Sequence, residues 1–221
     1  AADDETLLAW LARREQGEPL AWIVGALTFC GHRVVVRGGV YVPRLQSEEL
    51  ARRAAAVLRL GGMAADLCTG AGAVAVHLRR DRAARVVGVD LDRRAAACAR
   101  ANGVAAVTGD LDAPLGSTCM DVVTAVAPYV PTAALATLPV DVTRYEPEVA
   151  LDGGADGLDL VRRVVRGAAR LLRPGGFLLL ELGGDQDVLL APDLDRAGFT
   201  VVDKWADEDG DLRGVMARRR R

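Results

Sequence analysis

Asp66-Leu67-Cys68-Thr69-Gly70-Ala71-Gly72 brings an acid, a hydroxyl and two glycines into one short stretch, a pattern suited to cradling a small molecule. The apolar Met63-Ala64-Ala65 leads into it, and Ala73-Val74-Ala75-Val76-His77-Leu78 follows as a helical run. Strand, glycine turn and helix let backbone N–H groups approach a ligand, because glycine lacks the Cβ that would block it. Eighteen residues past Gly72, Val86-Val87-Gly88-Val89 ends in Asp90, where an acid is expected to grip a ribose diol. A third apolar run, Val107-Thr108-Gly109, ends in Asp110-Leu111, which places a carboxylate to meet an adenine edge. Carboxylates at such positions also serve as helix caps and turn starters.

The Gly70-Ala71-Gly72-x-x-Ala75 spacing also fits the dinucleotide fingerprint of nicotinamide enzymes. Asp66 separates the two readings. It stands four residues before Gly70, placed to meet a cationic amino group, where dehydrogenases run apolar residues into their first glycine. S-adenosylmethionine (SAM) accounts for all three acids, with Asp66 toward the methionine end, Asp90 on the ribose and Asp110 on the adenine. Asp66, Thr69, Gly70, Ala71, Gly72, Ala73, Asp90, Asp110 and Leu111 are therefore the expected cofactor residues.

The elements that must position these residues are legible in the hydrophobic pattern. Residues 3–16 read as a helix with Leu7, Leu8 and Leu11 on one face. A hairpin follows, Leu27–Phe29 and Arg33–Val36, turning at Gly31, and Ser47 is placed to cap a helix running to Leu60. From Ala64 onward strands and helices alternate, predicting strands near 64–67, 85–90, 104–108, 121–125 and 176–182. The expected fold class is α/β, a doubly wound, mostly parallel sheet. Residues 198–204 and 212–217 add an antiparallel edge hairpin, and Arg218–Arg221 read as a solvated tail. The helix predicted over 157–173 carries Leu158, Val161, Val165, Ala168 and Leu172 inward and Arg162, Arg163, Arg166 and Arg170 on a solvated face, with Pro174-Gly175-Gly176 ending it. Residues 1–45 form an N-terminal helix and hairpin appendage, and 46–221 the SAM-binding domain.

Composition narrows the function classes. The chain has 221 residues and a net charge of −2, which suits one α/β domain and gives no basic footprint for nucleic acid. Lys204 is the single lysine, a bias of usage and not a binding feature. Cys30, Cys68, Cys98 and Cys119 are scattered without a CxxC, as free thiols of a cytoplasmic protein are. His32 and His77 are too far apart in sequence for a zinc-ligand pair, His77 reads as a helix-surface residue, and no metal is expected. No membrane span or signal peptide is visible. The chain begins at Ala1 without Met, so its true N-terminus is expected to lie upstream.

Several separate stretches resemble the release-factor glutamine methyltransferase family, which methylates the side-chain amide of the Gln in a Gly-Gly-Gln loop. Gly17-Glu18-Pro19-Leu20-Ala21-Trp22-Ile23-Val24-Gly25 resembles the family's entry segment. Val42-Pro43-Arg44-Leu45-Gln46-Ser47-Glu48 is similar to its Pro-Arg-x-x-Thr/Ser-Glu loop, whose hydroxyl residue lies near SAM. Asp66–Gly72 resembles the SAM loop and Gly109–Leu115 the adenine-side strand end. Arg144-x-Glu146-Pro147-x-x-Ala150-Leu151-Asp152-Gly153-Gly154-x-x-Gly157-Leu158 matches a loop beside the acceptor site, and Glu181 and Gln186 also match. The resemblance implies SAM as cofactor, Ser47 and Val126 among the residues around it, and an acceptor site at Arg44, Val126, Ala127, Pro128, Tyr129 and Glu146. It also implies a helical N-terminal docking domain, of which residues 3–16 match the last helix. Arg144 and Glu146 are expected to pair and hold their loop.

The chemistry-bearing motif departs from the family. Its Asn-Pro-Pro-Tyr, or Asn-Ala-Pro-Tyr, reads Val126-Ala127-Pro128-Tyr129 here. By analogy with the family, the Asn side chain and the next carbonyl hold the acceptor amide with its nitrogen lone pair aimed at the methyl group. Amide nitrogen is a poor nucleophile, so positioning and polarisation must supply what reactivity lacks. Val126 has no polar atom, which leaves the Ala127 carbonyl and the Tyr129 ring; Ala127, Pro128 and Tyr129 are the residues expected at the transfer point. Three readings stay open: an amide methyltransferase acting on a release factor, a methyltransferase acting on a small metabolite, and a SAM-binding protein without transferase activity. A nucleic-acid adenine methyltransferase, whose motif is similar, ranks below them because the acidic chain has no target-recognition insert.

Overall fold

The computed structural model describes residues 3–117 and 119–221. The helix α1 (Asp4–Glu15) starts at the N-cap Asp3, whose carboxylate accepts the Thr6 N–H at 2.8 Å. After α2 (Leu20–Val24) the hairpin β1 (Ala26–Phe29) and β2 (His32–Val35) forms a two-stranded antiparallel sheet. The main unit then alternates α3 (Ser47–Val57), β3 (Met63–Leu67), α4 (Ala73–Arg82), β4 (Arg85–Asp90), α5 (Arg93–Ala101), β5 (Ala105–Thr108) and β6 (Met120–Ala125). It closes with α6 (Val140–Tyr145), α7 (Asp159–Leu171), β7 (Leu172–Glu181), α8 (Gln186–Arg196), β8 (Phe199–Ala206) and β9 (Leu212–Arg219).

The seven-stranded sheet has the order β5-β4-β3-β6-β7-β9-β8, parallel except for β9, which runs antiparallel to both neighbours. Its central strands β3 and β6 and the second half of β7 are mostly apolar and buried on both faces, as a sheet covered by crossover helices requires. Side chains alternate between two cores: Ala64, Val122 and Leu179 pack with α3, α4 and α5, whereas Ala65, Val123 and Leu178 pack with α7 and α8. The expected α/β class and edge hairpin are therefore the observed ones. Phe29, Val34, Val36, Val40 and Val42 share the first core with α3 and α4. A boundary at residue 45 thus cuts through packed side chains, and residues 1 and 2 of that appendage lie outside the described residues.

Several local expectations are corrected. Gln46, not Ser47, occupies the N-cap of α3, without a side-chain cap bond, and the helix stops at Val57 because Leu58 turns extended. Pro174, Gly175 and Gly176 do not terminate α7; they lie inside β7, at the shift in its register with β6. Arg218 and Arg219 belong to β9, Arg219 donating to the Leu172 carbonyl at 2.9 Å, so the C-terminal arginines are not a free tail. His77 is buried, and its ring centroid lies 5.8 Å from that of His32. The two are neighbours across the hairpin and α4, although among the described residues no group of three or more His, Cys, Asp or Glu is placed to hold a metal. Among the described residues, no helix is long and apolar enough to cross a membrane.

Candidate active site

Strand order reverses at β3, whose neighbours β4 and β6 lead the chain in opposite directions along the sheet. Ligands bind outside the carboxyl ends of strands at such a switch point. A cavity of about 640 Å³ opens there, floored by Gly70, Asp90, Asp110, Leu111, Val126 and Pro128 and walled by Gly39–Tyr41 and by residues of 147–154. A smaller space of about 40 Å³ adjoins it, lined by Ser47, Asp66, Thr69, Ala71 and Ala73 among others. Most of the expected cofactor residues thus stand around two joined spaces. Gly72, the exception, lies behind the loop: it is left-handed at φ 81°, and a Cβ there would come within 3.0 Å of the Ala99 Cβ.

The acids differ in setting. Asp66 is buried, and its oxygens accept the Thr69 hydroxyl at 2.6 Å and the Thr124 hydroxyl at 2.7 Å. Burial pushes its pKa up to about 6 against those hydrogen bonds. Asp90 accepts the Gly70 N–H at 2.8 Å and the Asp92 N–H at 2.9 Å, and burial raises it as well. It therefore ties the strand end to the glycine turn. Asp110 is half exposed and pairs with Arg163 at 2.7 Å. The arginine face of α7 is accordingly not simply solvated, since Arg162 pairs with Asp156 and Arg170 with Asp112. Cys68 and Leu111, both lining the larger cavity, are non-glycine residues with φ of 56° and 49°. Such backbone strain concentrates at ligand sites.

The motif Val126–Tyr129 follows β6. Val126 lines both cavities, Ala127 is buried and Pro128 lines the larger one. Tyr129 is anchored from two sides. Its hydroxyl donates to Glu181 Oε1 at 2.8 Å and accepts from Gln46 Nε2 at 3.0 Å, while its carbonyl accepts from Gln186 Nε2 at 2.8 Å. Glu181 also accepts from Gln46 at 3.0 Å and from the Ser47 hydroxyl at 2.5 Å. Ser47 therefore serves the brace on Tyr129 and Glu181 rather than a helix cap. Gly157, at φ 75°, leaves room for the Tyr129 carbonyl, which a Cβ would approach to 2.1 Å.

The expected Arg144–Glu146 pair does not form. Glu146 is buried, accepting Arg44 Nη2 at 2.5 Å and the Val42 N–H at 3.0 Å, and Arg144 lies over the Tyr145 ring. The bond thus ties the 144–158 loop to the strap before α3. The sequence reasoning missed Gln46, Thr124, Arg163 and Tyr41, which lines both cavities. Their signal is spatial: Gln46, Thr124 and Arg163 act on partners far along the chain, and Tyr41 is marked only by the two cavities it lines.

The fold and the joined cavities define a class I SAM-dependent methyltransferase. Residues 65–134 match the family described as methyltransferase domain. The release factor glutamine methyltransferase of Geobacter sulfurreducens is 38% identical over 94% of this chain and 76% of its own length. The 4-amino-L-phenylalanine/4-methylamino-L-phenylalanine methyltransferase of Streptomyces pristinaespiralis is 42% identical over 80% of this chain and 65% of its own. The E. cuniculi Mtq2–Trm112 complex, responsible for methylation of the eRF1 termination factor, superposes with a TM-score of 0.63 at 22% identity, over 83% of this chain and 99% of that one. The chain belongs to the release factor glutamine methyltransferase family, and its cofactor is SAM.

Proposed function

We propose that this methyltransferase transfers the methyl group of SAM to the side-chain amide nitrogen of a release-factor glutamine presented at Ala127-Pro128-Tyr129. The carrying observation is the double anchoring of Tyr129 by Glu181 and Gln186, which holds the turn in place although Val126 has replaced the family's Asn. SAM supplies a methyl on a positively charged sulfur, a good electrophile, so the protein's task is alignment and exclusion of water. Asp90 and Asp110 would hold the nucleoside and Asp66 the amino-acid end. The Ala127 carbonyl would accept one acceptor N–H while Pro128 and the Tyr129 ring pack on the flat amide. A translation-factor acceptor places the reaction in the cytoplasm, with no nucleic-acid or membrane partner.

A second reading is favoured by one observation. Val126 makes the wall between the cavities apolar, and the S. pristinaespiralis relative is named for an aromatic amine acceptor. An intrinsically nucleophilic amine would not need the amide clamp. Incubation with methyl-labelled SAM, the organism's own release factor and, separately, a small-molecule extract decides between them. Label in the release factor supports the amide reading; label confined to the extract transfers the proposal to a small amine.

A further inference from the structure

The two cavities share four residues, Tyr41, Cys68, Gly70 and Val126. With the nucleoside at Asp90 and Asp110 in the larger and the amino-acid end at Asp66 in the smaller, the methyl group to be transferred lies at this seam. Gly70 has no side chain, and Val126 has no polar atom. Cys68 carries a thiol, a weak hydrogen-bonding group, which burial holds protonated. Tyr41 alone brings a hydroxyl.

Tyr41 is also rigidly placed. The Val40 carbonyl on one side accepts Trp22 Nε1 at 3.0 Å, and the Val42 N–H on the other donates to Glu146 at 3.0 Å. The Arg44 guanidinium lies 5.0 Å from the Tyr41 ring centroid and is held by Glu146. The Tyr41 oxygen accepts from the Arg44 guanidinium and keeps a second lone pair, and among the described hydrogen bonds its hydroxyl engages no carboxylate and no main-chain group. Burial pushes its pKa up, Arg44 opposing and Glu181 and Glu146 adding to the effect, so it stays neutral.

We propose that Tyr41 replaces the side chain missing at position 126, its hydroxyl oxygen accepting one N–H of the acceptor while the Ala127 carbonyl accepts the other. This rests on the amide reading above. Both N–H bonds lie in the amide plane, so two in-plane acceptors turn the out-of-plane lone pair toward the methyl group. Accepting from nitrogen also increases its electron density, whereas a donor to the amide oxygen would withdraw it. In the transfer the nitrogen–carbon bond forms, the carbon–sulfur bond breaks with its electron pair left on sulfur, and the nitrogen gives up one proton to water.

The test compares the native protein, Tyr41→Phe, Val126→Asn and the double variant, with methyl-labelled SAM and release factor, alongside calorimetry of SAM binding. Phenylalanine keeps the ring against Arg44 and removes only the hydroxyl. Tyr41→Phe is expected to lower kcat by about 10- to 100-fold, the loss of one hydrogen bond to a bound polar group, with SAM affinity unchanged. Val126→Asn added to Tyr41→Phe is expected to regain at least about 10-fold of that loss by the same hydrogen bond. Native kcat in Tyr41→Phe, a parallel loss of SAM affinity, or a double variant that regains nothing would each overturn the role of Tyr41 and leave the amide reading standing. No label from the native protein would overturn both.

Discussion

Tyr129 and Glu181 are joined by a hydrogen bond of 2.8 Å between the end of β7 and the turn after β6, and Glu181 collects two further donors from the start of α3. One buried carboxylate therefore joins three segments around the proposed acceptor position. Removing the Tyr129 hydroxyl leaves Glu181 with Gln46 and Ser47 but frees the ring. Tyr129→Phe is expected to lower kcat by about 10-fold, as loss of one charge-assisted hydrogen bond implies. Steady-state kinetics with SAM varied should give a KM close to native; a raised KM with native kcat would place the residue at the cofactor instead.

Asp66 makes the ligand-free protein pH-sensitive. Below about pH 4 its carboxyl is neutral in folded and unfolded chains alike, and between about pH 4 and 6 only the unfolded chain ionises. Stability is therefore expected to fall across that window, by at most roughly 3 kcal/mol. Asp66→Asn should flatten the dependence and melt higher than the native chain at neutral pH. Thermal unfolding across the range checks it, and a native profile unchanged by the substitution contradicts it.

SAM affinity should move the other way, because its ammonium group prefers an ionised Asp66. Calorimetry is expected to give affinity falling up to about 10-fold per pH unit below about pH 6. Affinity constant down to about pH 5 would remove Asp66 from contact with that group.

Asp90 links the strand end to the Gly70 amide, so its loss disturbs the turn as well as the expected ribose contact. Asp90→Ala is expected to abolish measurable SAM binding. Unchanged calorimetric affinity would sink the cofactor placement.

Arg44→Met leaves the Glu146 carboxylate buried beside the Val42 amide without a counter-charge. Breaking a buried pair from one side costs about 3–5 kcal/mol; Arg44 is about one-third exposed, so about 2–3 kcal/mol is expected. The double variant Arg44→Met, Glu146→Met should recover most of that loss in denaturant unfolding. Equal destabilisation in both variants would mean that packing, not charge, holds the strap.

The parallel sheet was readable because β3, β4 and β5 are short apolar runs with Asp66, Asp90 and Asp110 at or just past their ends, and the glycine turn after β3 can be read from local spacing alone. What escaped was decided by contacts between distant segments. Ser47 has the look of a helix cap, yet Glu181, 134 residues away, takes its hydroxyl. Glu146 chose Arg44 over the nearby Arg144 because the strap before α3 crosses the loop. His77 reads as a helix-surface residue, but it is buried beside His32 of the hairpin. Tyr41 carries no motif, and only the seam between two cavities singles it out.

The most direct test of the central claim is mass-spectrometric mapping of the release factor after incubation with SAM and this protein. One added methyl group on the glutamine of the Gly-Gly-Gln loop, absent with the Asp90→Ala variant, is the expected result. An unmodified release factor, with methyl-labelled product appearing only among small molecules, would contradict it.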